Sequence, residues 1–372
     1  MKITNTSILI FILTSVIAFT SKADVKFSGY GSVVAGQTLD DGERFTADFF
    51  EVGQYENELT FSAETMIALQ LTSNLADNLM MTGQLTTKGS DEFKPEFSWY
   101  YLTYFAENDW TVMLGRRNIP MYYYSEFYDV GFAYPWMRPP SNLYWWQIVQ
   151  FNGLHVSKDF SLGDLSNNVT VYYGNENSED NKEMGFYAEQ GFYDTAENKA
   201  IGVNENWRDI TGVSWNISGD FFDVRIAYME HQLDRDFVMD NDTIRVGLRT
   251  SQKFYGVGGS LDFNPFTVLF EYNYVRRYDT NQEEWPTFLL SLVYTWNEFQ
   301  PYIVYSKADQ YRVFGKDYEE HTLISYGIRY DFANSASLKV QFDNFNDQGH
   351  EPSGWDFHGS SDTLSFGIDF VF

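Results

Sequence analysis

Thr363-Leu-Ser-Phe-Gly-Ile-Asp-Phe-Val-Phe372 is the stretch that decides the fold. In an extended chain Leu364, Phe366, Ile368, Phe370 and Phe372 share one face. Thr363, Ser365, Gly367 and Asp369 share the other, and Val371 is the one apolar intruder. Strand side chains alternate between faces, so the segment has one apolar wall and one polar wall. About ten residues is the length a tilted strand needs to cross a bilayer. The sequence stops with this strand still open. An open edge in lipid would leave N–H and C=O groups without partners. The segment must therefore pair, and the first strand of a closed barrel is its natural partner.

The same alternation recurs upstream. Val25, Phe27, Val33 and Ala35 oppose Lys26, Ser28, Tyr30 and Ser32. Leu59, Phe61, Ala63, Ile67, Leu69 and Leu71 oppose Thr60, Ser62, Glu64 and Gln70, which predicts one strand from Leu59 onward. Short turns are expected near 73–78, 106–109, 157–164, 216–220, 264–265, 296–299 and 333–335. Long loops are expected near 37–57, 88–96, 116–150, 174–206, 230–251, 277–285, 307–320 and 344–362. Short and long connections alternate, as in a transmembrane barrel with tight turns on one side and long loops on the other. Counting between them gives about sixteen strands, with the least regular alternation near Phe151–Val156 and Asp209–Trp215. Asp242–Arg249 alternates weakly, as an outer extension of a strand would.

Phe105, Trp110, Trp215, Phe221, Phe263, Phe266, Tyr294, Trp296, Phe299 and Phe332 sit beside the short turns. Amphipathic rings favour the headgroup level, so these form an expected aromatic girdle. The mean hydropathy of −0.37 does not oppose a membrane location, because a barrel spaces its apolar residues two apart.

At the N-terminus Lys2 precedes the apolar run Ile8–Phe19, and Ser21-Lys22-Ala23 supplies small residues for a signal peptidase. Residues 1–23 are the expected signal peptide and 24–372 the single barrel domain. Losing Lys2 and Lys22 takes the formal charge from −27 to −29. That acidity argues against nucleic-acid partners, which require basic surfaces.

The stretch from Arg116 to Gln150 reads RRNIPMYYYSEFYDVGFAYPWMRPPSNLYWWQIVQ. So many exposed rings would be an aggregation liability, so the loop is expected to fold into the barrel. Pro120, Pro135, Pro139 and Pro140 keep it from extending as strand. A barrel of about sixteen strands is too wide for its own side chains to fill. By count this is the third long loop.

In its strand rhythm, its third loop and its ending Phe366-Gly-Ile-Asp-Phe-Val-Phe372, the chain resembles the outer-membrane porins of Gram-negative bacteria. Asp129-Val-Gly-Phe-Ala-Tyr-Pro-Trp136 and Arg138-Pro-Pro140 carry a closer likeness to porin-like proteins of marine gammaproteobacteria. The resemblance implies a third loop that forms the pore constriction, a homotrimer in the bacterial outer membrane, and an assembly signal in Phe366, Phe370 and Phe372. The Pro-Glu-Phe-Gly-Gly segment of general diffusion porins is absent from the loop; Pro95-Glu-Phe97 opens a strand instead.

Tyr122, Tyr124, Glu126, Asp129 and Arg138 are the loop's constriction candidates. Strand parity turns Lys26, Glu64, Arg117, Arg225, Glu271, Arg329 and Lys339 toward the lumen. Loop acids facing a basic wall would set a transverse field that favours polar solutes and sorts ions. The expected function is passive diffusion of ions and small hydrophilic solutes, with no cofactor and with lipid and lipopolysaccharide as surroundings. An alternative is a sugar-selective channel in which the loop's rings stack on substrate. A plugged structural or adhesive barrel fits the sequence nearly as well, and only the expected width favours an open lumen. An acyl hydrolase fits poorly: none of the five His lies in a nucleophile motif. His350, His358, Asp347, Glu351 and Asp356 match no metal-site spacing. Gly256-Val-Gly-Gly259 reads as a kink or a close approach within a strand.

Overall fold

A computed structural model describes residues 24–179, 181–189, 194, 198–240, 248–278, 282–312, 317–349 and 359–372. The expected signal peptide, residues 242–247 of the weakly alternating stretch and the loop residues His350, Glu351, Asp356 and His358 lie outside the described residues. Among the described residues no helix is long and apolar enough to cross a membrane.

Sixteen antiparallel strands close into a barrel. They are β1 (Val25–Thr38), β4 (Met66–Ala76), β5 (Leu79–Lys88), β6 (Pro95–Ala106), β7 (Trp110–Asn118), β8 (Gln150–Leu162), β9 (Leu165–Ser178) and β10 (Ala200–Ser218). The circle continues through β11 (Phe222–Met239), β12 (Leu248–Phe263), β13 (Phe266–Tyr278), β14 (Glu283–Tyr294), β15 (Phe299–Arg312), β16 (Asp317–Ala333), β17 (Ala336–Asp347) and β18 (Ser361–Val371). A separate hairpin, β2 (Phe45–Asp48) with β3 (Gly53–Tyr55), lies in the first loop. Helix α1 (Lys182–Glu189) lies between β9 and β10.

The terminal strand closes the circle as its alternation requires. β18 pairs with β1 from Thr38↔Thr363 to Tyr30↔Val371, and Gly29 and Phe372 exchange both backbone hydrogen bonds at 2.9 Å. Leu364, Phe366 and Ile368 are 41%, 43% and 42% exposed, whereas Thr363 and Ser365 are fully buried. The polar residues are covered and the apolar ones bare, as lipid outside and protein inside demand. Every short turn expected from the sequence joins two neighbouring strands, and the girdle aromatics beside them face outward.

Two expectations change. The second barrel strand starts at Met66, not Leu59. Thr60 makes one isolated bridge to Gly36, and the Thr65 hydroxyl then occupies both Val34 N–H (3.1 Å) and Val34 C=O (3.2 Å). A side chain thus replaces the ladder and the chain turns away. Several expected long loops are also largely strand: β11, β13, β14, β15 and β16 run deep into 230–251, 277–285 and 307–320. Charged cross-strand pairs hold these extensions, including Arg277–Glu283 at 2.9 Å, Lys307–Glu320 at 2.6 Å and Arg235–Glu205 at 2.6 Å. Beyond the lipid a strand can be polar on both faces, so alternation of hydropathy disappears there. The 88–96 loop is likewise short, with one 3-10 turn at Gly89–Asp91.

Candidate functional site

Residues 119–149 join β7 to β8 and form the third loop at the long-loop end. Its start is shaped locally. The Ser125 hydroxyl accepts the Tyr122 N–H at 2.8 Å, while Asn118 donates to Ser125 C=O at 2.7 Å and accepts the Trp99 indole N–H at 2.8 Å. Short 3-10 turns follow at Ser125–Phe127 and Gly131–Ala133.

The loop then makes contact with inward side chains around most of the barrel. On β13, Glu271 accepts the Tyr123 N–H at 3.1 Å and the Tyr144 hydroxyl at 2.5 Å. Arg225 on β11 donates to Tyr122 C=O at 3.0 Å. Trp136 donates to Ser291 on β14 at 2.9 Å, and Asn142 accepts from Ser306 on β15 at 2.7 Å. On β16, Arg329 donates to Phe132 C=O and Tyr134 C=O, both at 2.7 Å. Lys339 on β17 donates to Gly131 C=O at 2.7 Å and Trp136 C=O at 2.6 Å, and pairs with Asp369 at 2.8 Å. These partners all face inward, so the loop lies inside the barrel.

Two glycines permit this approach. A Cβ on Gly258 of β12 would lie 2.9 Å from Tyr123 Cβ, and one on Gly131 would lie 2.2 Å from Asp369 Oδ1. The Gly256–Gly259 run is therefore in part a contact surface for the loop.

The expected constriction residues fall into three groups. Tyr122 and Tyr124 are buried at 5% and 6% exposure, against Tyr144 and Phe254 and against Tyr134 and Trp136. Their rings fill space between loop and wall and do not front an aperture. Arg138 is sealed as well. It donates to Glu64 at 2.5 Å and Asp343 at 2.7 Å, with its guanidinium over the Phe45 ring at 5.1 Å. Glu64 lies on the turn entering β4, where it also accepts the Tyr55 hydroxyl at 2.5 Å.

Glu126 differs: its side chain is 37% exposed. It is hydrogen-bonded to Arg225 and lies 3.7 Å from Arg117, whose guanidinium covers Tyr101 at 4.9 Å. Burial works against its charge, but Arg225 and Arg117 outweigh that and hold the carboxyl below its ordinary value. Arg225 also donates to Asn216 at 2.7 Å, beside a cavity of about 450 Å³ lined by Asp159, Asn168, Asn216 and Ser218. Asp129 pairs with Lys88 at 3.0 Å. Lys26 is exposed near the short-turn end of β1, opposite Thr72.

Glu271, Arg329 and Lys339 point inward as parity requires, yet they bind the loop's backbone and hydroxyls. Lys88 and Asp343 are further inward charges that the sequence reading did not place, and Asp369, placed on the polar face of the terminal strand, was not counted among the wall charges. Parity places them in line with Gln84 and Thr86, with Lys339 and with Ser365. Lys88 was hidden by its position at the margin of an expected loop. It lies 3.6 Å from Glu51 and 3.8 Å from Asp48, tying the first loop to the third. Buried Asp48 is pushed up to about 6, since burial outweighs the attraction of Lys88. Phe49 and Phe50 extend this cover over the loop and toward α1.

The sequence matches the family model described as Gram-negative porin over residues 10–350. The chain belongs to the Gram-negative porin family. It is an outer-membrane channel, and the barrel's short turns therefore face the periplasm and its long loops the exterior. A loop L8 deletion mutant of OmpT, an outer membrane protein of Vibrio cholerae, superposes with a TM-score of 0.64. The two share 12% identity over 95% of this porin and 100% of that chain. The outer membrane channel DcaP of Acinetobacter baumannii gives 0.61 at 13% identity over 95% and 99% of the two chains. An anion-selective porin from Comamonas acidovorans gives 0.56 at 12% over 94% and 100%. At these identities the likeness is one of fold. No curated protein matches the sequence significantly.

Proposed function

We propose that this porin passes ions and small hydrophilic solutes through the lumen left beside the inserted loop, and that Glu126 with Arg117 and Arg225 marks the narrowest charged point. The observation that carries this reading is the exposure of Glu126. Among the loop's proposed charges Arg138 and Asp129 have side chains only 9% and 10% exposed, against 37% for Glu126. A permeant ion meets the loop acid, and the guanidinium groups of Arg117 and Arg225 lie behind it, 13% and 6% exposed. Rings of charge of this kind set ion preference. Most of the loop's rings, among them Tyr122, Tyr124, Tyr134, Trp136, Tyr144 and Trp146, are committed to packing, which supports a general polar channel over one that stacks sugars.

Single-channel recording across a salt gradient tests the proposal. Discrete steps are expected, with a reversal potential that moves toward anion preference in Glu126→Gln and toward cation preference in Arg117→Gln. Absent steps, or a potential indifferent to both substitutions, would refute it.

The same reading includes three assembly features. Residues 1–23 act as a cleaved signal peptide. Phe366, Phe370 and Phe372 direct insertion into the lipid and lipopolysaccharide of the outer membrane; their outward rings support this role. The barrel assembles as a homotrimer, as the trimer form of the Vibrio cholerae OmpT structure supports.

A further inference from the structure

At the outer rim β16 and β17 run side by side, with His321 opposite Asp347 in register. Glu319 stands two residues before His321 and therefore on the same face. That face is the inner one: Leu323 and Phe345, next along each strand, are buried in the cluster beneath Phe45. His321 Nε2 lies 2.8 Å from Glu319 Oε2 and 3.8 Å from Asp347 Oδ1. The three ligand atoms are all within 4.8 Å of one another.

Charge is what sets this cluster apart. Glu64 and Asp343 share Arg138, Asp369 has Lys339, Asp129 has Lys88 and Glu126 has Arg225. Among the described residues no Lys or Arg reaches ion-pair distance of Glu319 or Asp347. Lys307, the nearest in register, is engaged by Glu320 on the opposite face. Two carboxylates that converge on one imidazole, one of them buried, repel each other unless a cation lies between them.

A tetrahedral zinc ion with bonds of about 2.0–2.2 Å sets its ligands roughly 3.3–3.6 Å apart. The separations of 2.8 and 3.8 Å bracket that range, so small side-chain rotations suffice. One imidazole and two carboxylates suit a borderline first-row cation. The fourth position is left to water from the adjoining cavity, which Glu319 and His321 share with Asn142, Trp145, Trp285 and Thr287.

We infer that Glu319, His321 and Asp347 form a divalent transition-metal site, suited to Zn²⁺, on the inner wall at the outer rim of this porin. The ion joins β16 to β17 and neutralises the two carboxylates that face each other across them. This inference is independent of how Glu126 acts on permeant ions.

Zinc titration calorimetry on the full folded protein in detergent, before and after His321→Asn and Asp347→Asn, is the test. One saturable site per chain is expected. Loss of even an outer partner of a metal ligand weakens affinity roughly 10- to 100-fold, so each ligand change should weaken it at least about tenfold. The His155→Asn control, on β8, should bind as before. X-ray absorption at the zinc edge of the wild-type protein should show one imidazole nitrogen and two carboxylate oxygens at about 2.0–2.2 Å, and it decides the matter even where a variant fails to fold. No saturable binding, wild-type affinity in both ligand variants, or a first shell without imidazole would each overturn the assignment.

Discussion

Two arginine–carboxylate clusters join the inserted loop to the wall, and they do opposite things. At Arg138 the loop supplies the cation and the wall side two acids, all with side chains less than 10% exposed. At Glu126 the loop supplies the acid and the wall two cations, and the acid remains 37% exposed. The first is sealed by aromatic rings; the second reaches a polar cavity only through Asn216, which Arg225 holds. The difference teaches that inward direction and access to water are separate properties. Both clusters point into the lumen, and only Glu126 keeps substantial access to water.

The largest effect should come from breaking the sealed cluster. Arg138→Ala leaves Glu64 and Asp343 buried without their cation, which should destabilise the fold by about 3–5 kcal/mol. Chemical denaturation in detergent reads this directly, and conductance should rise as the loop loosens. Melting like the wild type would erase the distinction between the clusters. Next comes Gly131→Val. Its Cβ would meet Asp369 Oδ1 at 2.2 Å and Ser32 Oγ at 2.7 Å, so the loop must shift or the seam must open. The expected loss is about 1–3 kcal/mol, with more variable single-channel current.

Smaller in stability is Glu126→Gln, under about 1 kcal/mol, because a partly exposed ion pair contributes little. Its effect belongs in the reversal potential. The folded carboxyl titrates below its ordinary value, so its contribution to stability and selectivity should be full above about pH 4.3 and fade only as pH falls further. Selectivity already lost near that pH would place the acid outside the Arg117–Arg225 field. Smallest of all is Lys26→Gln. This exposed group should leave stability unchanged and move conductance slightly at low salt only.

Parity explains how much of this was legible. It placed Arg225, Glu271, Arg329 and Lys339 inward, because a side chain's face follows from its position alone, while the open edge closed β18 on β1 and the alternation of short and long connections gave the strand count. It was silent on what occupied the space in front of each side chain. Lys339 and Arg329 therefore read as pore wall, though they bind loop carbonyls. Tyr122 and Tyr124 read as aperture, though Phe254, Tyr144 and Trp136 cover them. Strand ends were the other gap. Past the lipid both faces are polar, so Arg277, Glu283 and Lys307 carried no alternation and read as loop. Glu319 was lost the same way, in the stretch 307–320 taken for a loop, and His321 just beyond it stood a strand away from Asp347.

Gly131 lies where the barrel closes. Its carbonyl accepts from Lys339, Lys339 pairs with Asp369, and Asp369 accepts the Ser32 hydroxyl at 2.5 Å. Ser32 belongs to β1 and Asp369 to β18, the first and last strands of the circle. Zipping these two strands together before the loop had entered would leave the Lys339–Asp369 pair without its covering backbone. Threading the loop first would press it against a sheet with no opposite edge. Closure of the barrel and seating of the loop thus share one set of bonds, so neither is complete in the native state without the other.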